Sequence, residues 1–296
     1  MARICIVGMG AVGSLLGFFS SRGSGELVHA IVRRSEHAEK LNVEGVKLEG
    51  LIKGGYRVKA GLEPPREGCD YTIIATKAYD APKALEAVAP HSKVLAVACN
   101  GFGPLEAAAS LSKQALGVIV DYGVTRLSDT RVEVRGLGSL TIGPPRGSTG
   151  EAMGHAETLA RILELGGANV RVVDDIEPWR WLKAAVNAVI NPITALARKP
   201  NSIILDEKLK PLVEGLTREA ALTASKLGVA MPLDPLSYVY EVASRTRDNK
   251  SSMLADVEAG RRTEIEEING YIVRVAESLG LEAPYNKTLY SLVKTL

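Results

Sequence analysis

The opening run "RICIVGMGAVGSLLGFFSSR", Arg3 to Arg22, decides the fold. Ile4 to Val7 is short, apolar and β-rich, the pattern of a strand buried on both faces. Gly8, Gly10 and Gly13 follow at once, and Ala11 to Arg22 then reads as a helix. Strand, GxGxxG and helix in that order form the dinucleotide-binding turn. Gly8 permits the tight turn, Gly10 lets backbone approach a pyrophosphate, and Gly13 lets the helix pack on the strand. The N–H groups at Ala11, Val12 and Gly13 would then face the anion.

Working outward, the first half keeps alternating short apolar runs with helical stretches. "LVHAIV", "DYTIIAT", "KVLAVAC" and "ALGVIV" read as strands, and Pro82 to Ala89 and Pro104 to Leu111 as helices. Buried strands separated by helices predict a doubly wound, mostly parallel sheet of Rossmann type. Val46 to Val58 and Val132 to Ile142 alternate residues around glycines and are expected as antiparallel hairpins attached to that sheet. After "VVDDIEP" the strand signals almost vanish, and helices are expected over Trp179 to Ile190, Leu209 to Leu227, a segment after Pro235, Ser251 to Ala259, Glu264 to Leu279 and from Tyr285 on. The fold class is therefore α/β with a second, all-helical domain. A dinucleotide-binding domain over 1–174 and a helical substrate or dimerisation domain over 175–296 are expected.

Bulk composition narrows the function. With 296 residues, 46% hydrophobic, 24% charged and a net charge of +2, the chain has no electrostatic case for nucleic acid or an anionic membrane. Cys5, Cys69 and Cys99 are odd in number and lack CxxC spacing, so neither a disulfide framework nor a metal site is expected, and a reduced cytoplasm fits. Glycines interrupt the apolar run from Ile4 to Phe19, and no other segment approaches the roughly 18 apolar residues of a membrane span.

Coenzyme choice is read where the second strand ends. There "AIVRRSEH" supplies Arg33 and Arg34, two cations suited to a 2′-phosphate, so NADP(H) is preferred, while Glu36 keeps NAD(H) possible. Lys77 and Asn100 fall just past the ends of their strands, where ligands gather in sheets of this kind, although either could be a polar loop residue.

In the second half, "WLKAAVNAVINPI", Trp181 to Ile193, is apolar nearly all round yet carries Lys183, Asn187 and Asn191 four residues apart. On a helix these share one face. An unpaired buried ammonium or amide is costly, so the row lines either a wet cleft or an interhelical polar network. Pro192 is expected to end or kink that helix. Further on, Thr263 with Glu266 has the spacing of a capping box, which would put Glu264 in a first helical turn.

The ordered set "GMGAVG", "KAYD", "CNGFG", "WRWLKAAVNAVINPITALARKPN" and "SSMLADVEAGRRTEIEEINGYIV" resembles the ketopantoate reductase (2-dehydropantoate 2-reductase) family along the whole chain. The last two stretches carry the specificity. The resemblance implies a Rossmann domain followed by a helical domain, and NADPH-dependent reduction of ketopantoate to pantoate on the route to pantothenate and coenzyme A. It implies Lys183 as the catalytic lysine and Glu264 as an essential glutamate. Asn100, Asn187, Asn191, Asn201, Asn249 and Ser252 match positions of polar contacts to substrate or cofactor, and Lys77 matches a lysine near the nicotinamide. Met9 between the first two glycines and Cys99 before Asn100 depart from the common pattern.

Cofactor on the first domain and Lys183 on the second imply a reaction in the cleft they form. Two other readings stand beside this one: a related two-domain dehydrogenase acting on another 2-keto or hydroxy acid, and a non-catalytic NADPH-sensing protein. A homodimer through apolar helices such as "IVRVAESLGL" is a further expectation.

Overall fold

The computed structural model describes residues 2–296. The chain divides into two compact units, one of residues 1–99 and 103–176, the other of residues 100–102 and 177–296.

The first unit holds twelve strands: β1 (Ile4–Val7), β2 (Val28–Ile31), β3 (Val46–Gly50), β4 (Gly54–Tyr56), β5 (Val58–Gly61), β6 (Cys69–Ile74), β7 (Ser92–Val97), β8 (Ala115–Val120), β9 (Gly123–Arg126), β10 (Arg131–Gly136), β11 (Leu140–Gly143) and β12 (Val170–Val172). Its helices are α1 (Ala11–Ser24), α2 (Ser35–Glu44), α3 (Ala81–Val88), α4 (Pro104–Leu111) and α5 (Gly150–Leu165). Eight strands make one sheet in the order β12-β11-β8-β7-β6-β1-β2-β5. All its pairings are parallel except β8 with β11. From β1 the chain winds outward through β2 to β5, and from β6 it winds the other way through β7 to β8. The order reverses between β1 and β6, which makes that seam the topological switch point where ligands of such sheets bind.

Two sequence expectations change here. Of the residues expected as hairpins on the main sheet, those of β3, β4 and β10 instead join β9 in a separate four-stranded sheet, β4-β3-β10-β9, made of two antiparallel pairs joined by the parallel pairing of β3 with β10, while Leu140 to Ile142 do lie on the main sheet, in β11. Leu48, Val132 and Val134 bury their side chains in the same core cluster as Leu15, Phe18 and Ile73, so hydrophobic burial rather than edge pairing ties this sheet to the unit. The expectation of no disulfide is also overturned. Cys5 on β1 and Cys69 at the start of β6 are bonded, with Cα atoms 5.9 Å apart. The count of three hid this because parallel pairing brings together residues 64 apart in sequence. Cys99 takes no part in this disulfide, and the argument for a reducing compartment loses its support.

The second unit is helical: α6 (Glu177–Ala197), α7 (Lys210–Lys226), α8 (Pro235–Arg245), α9 (Ser252–Glu258), α10 (Asn269–Ser278) and α11 (Pro284–Val293). Helix α6 is its axis. Almost every residue from Arg180 to Ala195 is buried, and Lys183 and Asn187 are the two exceptions. Of the two outcomes expected at Pro192, the ending is overturned: α6 runs past it to Ala197. Thr263 is not a helix cap either. The next helix begins at Asn269, after a turn in which Glu267 N–H donates to the Glu264 carbonyl and Gly270 N–H to that of Ile265. Glu266 is drawn away from any capping role by Arg274 and by the Tyr290 hydroxyl, which donates to it at 2.6 Å. No helix among the described residues is long and apolar enough to cross a membrane.

Candidate active site

In the first unit, the glycine turn lies at the switch point. A Cβ on Gly8, whose φ is +92°, would come within 2.9 Å of the Ala75 carbonyl oxygen, and one on Gly13 within 2.0 Å of the Gly8 carbonyl oxygen. Both positions therefore require glycine for internal packing. Gly10 is different: a Cβ there would meet nothing within 4 Å, so this face of the turn is open to an approaching group. Gly10 is the N-cap of α1 and its carbonyl accepts from Ser14 N–H. The N–H groups of Ala11, Val12 and Gly13 precede that first helical bond and are left to an anion. Met9 points into the core, which explains why a large residue is tolerated between the glycines. These observations fit a dinucleotide pyrophosphate.

Arg33 and Arg34 lie beyond β2 as the sequence placed them, each already held by a carboxylate. Arg33 pairs with Asp80 at 2.9 Å, its side chain 82% exposed. Arg34 pairs with Asp129 at 3.0 Å, and Asp129 also takes Lys40 and Arg126. Three cations around one carboxylate leave excess positive charge beside α2, and they hold the Asp129 carboxyl below its usual range against the opposing pull of its burial. Lys77 stands just past the end of β6. Asp80 closes the "KAYD" stretch, but neither it nor Asp129 was assigned a role from the sequence.

In the second unit, Lys183, Asn187 and Asn191 follow one another along α6. Lys183 and Asn187 are half-buried, and Asn191 is 4% exposed. Residues 100–102 belong to this unit and are seated firmly. Asn100 Nδ2 donates to Glu264 Oε2 at 3.2 Å, and Phe102 N–H donates to the Glu267 carbonyl at 3.1 Å. The Phe102 ring stacks on Tyr271 at 4.3 Å, lies 4.8 Å from Trp181 and has the Arg180 guanidinium 4.7 Å above it. Glu264 itself is only 5% exposed. Asn100 and Glu264, 164 residues apart, thus share one location.

Gly101 makes this seat possible. Its φ is +75° and a Cβ would lie 2.4 Å from the Glu267 carbonyl oxygen. Gly101→Ala is expected to push Asn100 off Glu264 and to raise KM for a substrate bound there by about tenfold to a hundredfold, with coenzyme affinity unchanged. Steady-state kinetics at varied substrate checks this, and an unchanged KM would disprove it.

Asn201 and Asn249 meet through Asn201 N–H, which donates to the Asn249 carbonyl at 3.0 Å, while Asn201 Nδ2 donates to Thr246 at 2.9 Å. Ser252 opens α9 and is exposed. Its neighbour Ser251, which had no assigned role, is buried, caps α9 and shares a 2.6 Å hydrogen bond with Thr194 of α6. The pair ties the start of α9 to α6.

Two acids of this region have displaced ionisations: Glu266, lowered against its burial by the Tyr290 hydroxyl and Arg274, and Glu267, raised. Burial, helped by the negative charges of Glu264 and Glu266 and opposed by Arg262, pushes the Glu267 carboxyl upward. Its Oε2 is buried without a partner. A raised carboxyl pKa in the fold means stability that is present at acid pH and lost as pH rises through the folded value. Glu267→Gln is therefore expected to melt above the parent at about pH 8, with the gap closing near pH 4. Thermal melts across that range test the sign. No cluster of His, Cys, Asp or Glu able to hold a metal occurs among the described residues.

The chain matches two family models, ketopantoate reductase PanE/ApbA over residues 4–147 and its C-terminal partner over residues 175–296. It is 40% identical to a 2-dehydropantoate 2-reductase of Pyrobaculum aerophilum over 98% of this chain and 96% of that protein. Among solved structures, the 2-dehydropantoate 2-reductase of Geobacter metallireducens superposes with a TM-score of 0.88 at 27% identity, covering 99% of both chains. A D-mandelate dehydrogenase solved with NADH and anilino(oxo)acetate gives the same TM-score at 22% identity, covering 99% of this chain and 97% of that one, which shows a shared fold. Matched from its glycine turn to its last helix, the chain belongs to the ketopantoate reductase family.

Proposed function

We propose that this protein reduces ketopantoate to pantoate with NADPH, serving pantothenate and coenzyme A synthesis. The observation that carries the reading is the α6 row. A lysine and two amides stand four residues apart on an otherwise apolar helix, in a chain whose relatives over nearly its full length are named for this reaction.

Reduced nicotinamide, when bound, supplies the hydride that the ketone carbon accepts. As that carbon is reduced, negative charge gathers on the ketone oxygen. Lys183 serves there as general acid, stabilising the charge and passing its proton to the oxygen. Glu264 accepts from the substrate's other hydroxyl and orients the ketone, while Asn100, held by Glu264, donates to a neighbouring oxygen. Asn187, Asn191, Asn201, Asn249 and Ser252 supply the remaining polar contacts, including those to the carboxylate. Gly8, Gly10 and the N–H groups of Ala11, Val12 and Gly13 hold the pyrophosphate, and Lys77 lies by the nicotinamide.

Preference for NADPH over NADH falls to Arg33 and Arg34. Arg33 is the more exposed and has one partner to leave, so it meets the 2′-phosphate, while Arg34 remains within the Asp129 cluster and adds positive potential. We place the coenzyme domain at 1–174, the substrate domain at 175–296 and the active unit in a homodimer.

An NADPH oxidation assay with ketopantoate, with simpler 2-keto acids and with NADH tests all of this. Turnover is expected with ketopantoate and to be faster with NADPH. Equal or better turnover of an aryl 2-keto acid would favour the neighbouring dehydrogenase activity, and tight NADPH binding without any oxidation would favour a sensor.

A further inference from the structure

Pro192 lies inside α6 and has no N–H, so the Ala188 carbonyl loses the donor that an ordinary helix would give it. Yet the helix continues to Ala197. The missing donor comes from elsewhere: Asn269, the first residue of α10, points its Nδ2 at the Ala188 carbonyl oxygen, 2.9 Å away. Ala188, Asn269 and Asn286 are all 0% exposed, so bulk solvent does not reach them.

The orientation of that amide is fixed from behind. Glu219 accepts from the N–H groups of Tyr285 and Asn286, both at 2.8 Å, and from Asn286 Nδ2 at 2.7 Å. Asn286 must therefore turn its Oδ1 the other way, toward Asn269, whose Nδ2 donates to it at 3.0 Å. Asn269 is left presenting protons both to Asn286 and to Ala188. Its own Oδ1 is buried with no partner, a cost the fold accepts in order to aim the donor correctly.

We infer that Asn269 is a positioning residue for the reaction: its side-chain amide takes the place of the peptide N–H that Pro192 removes. It thereby keeps α6 helical from Asn187 through Asn191, so that Asn191 stays in row with Lys183. The same continuity carries Thr194 to Ser251, since the Thr194 hydroxyl also bonds the Ile190 and Asn191 carbonyls. Without the amide, the carbonyl at 188 and the proline ring would face each other unsupported, and the helix would bend at that turn. The inference rests on the reading of the α6 row as the substrate face.

The test is a cycle between Asn269 and Pro192. Asn269→Ala is expected to raise KM for ketopantoate about tenfold, with a smaller change in kcat and an unchanged Kd for NADPH. Adding Pro192→Ala restores a backbone N–H opposite Ala188, and KM should return to within about threefold of the parent. A purely structural role would lower the melting temperature without this split or this rescue. If the KM defect persists unchanged in a folded double variant, the inference is wrong. Should Asn269→Ala alone fail to fold, the comparison is made wholly within the Pro192→Ala background. There a loss beyond about threefold on removing Asn269 overturns it. Asn191→Ala separates the two layers: an unaltered KM in that variant would reject the substrate-face reading. The melting-temperature cycle would still report whether the amide replaces the N–H.

Discussion

Lys183→Ala is expected to lower kcat for ketopantoate by about a thousandfold, while the dissociation constant for NADPH stays within twofold or so. The asymmetry follows from where the charge is needed. The ground-state ketone oxygen carries little charge and asks little of an ammonium, whereas the oxygen receiving the electron pair asks a great deal. A donor on α6 therefore acts on the barrier and not on coenzyme affinity. Lys183→Arg should recover only a small part, because a guanidinium keeps the charge but surrenders its proton far less readily. Equal losses in turnover and in coenzyme affinity would mean that the lysine serves binding, and the assignment would fail.

The second large effect concerns stability. The Cys5–Cys69 bond closes a loop of 64 residues, and constraining such a loop in the unfolded chain is worth about 4 kcal/mol in the loop-entropy view. Removing it should lower the melting temperature of the first unit by about 10 °C. Cys69→Ala and reduction of the parent should agree, which separates the lost cross-link from any cavity left by the substitution. Thiol titration in denaturant provides the prior check. One reactive thiol, that of Cys99, is expected before reduction and three after it, and three before reduction would remove the basis of the prediction.

Much of this architecture was legible because it depends on local patterns. The strand, glycine turn and helix from Ile4 to Ser24 follow from residue types within one window, and so does the change to helices after Asp175. The row Lys183, Asn187, Asn191 was equally plain, since helical spacing needs no knowledge of the partner. What the sequence concealed depends on contacts at long range. Pro192 does not end α6, and a side chain 77 positions later supplies the missing donor. Thr263 and Glu266 have the spacing of a cap, but Arg274 and Tyr290 claim the glutamate. The disulfide needed the pairing of β1 with β6 to become visible. Helices α2 and α5 were not read from the sequence: one is short and polar, and the other opens on glycine although Ala152, Ala156, Leu159, Ala160 and Leu163 recur at helical spacing.

The three residues Asn100 to Phe102 have a consequence for any attempt to dissect the protein. A fragment beginning near residue 175 would contain every helix from α6 to α11 and still lack the benzyl group that fills the hollow beside Trp181 and Tyr271. Such a fragment would expose an aromatic pocket to water and invite self-association. Supplying "NGF" in trans, as a short peptide, is the natural complementation experiment. On the ribosome the order is favourable, for the plug is synthesised long before the socket that receives it.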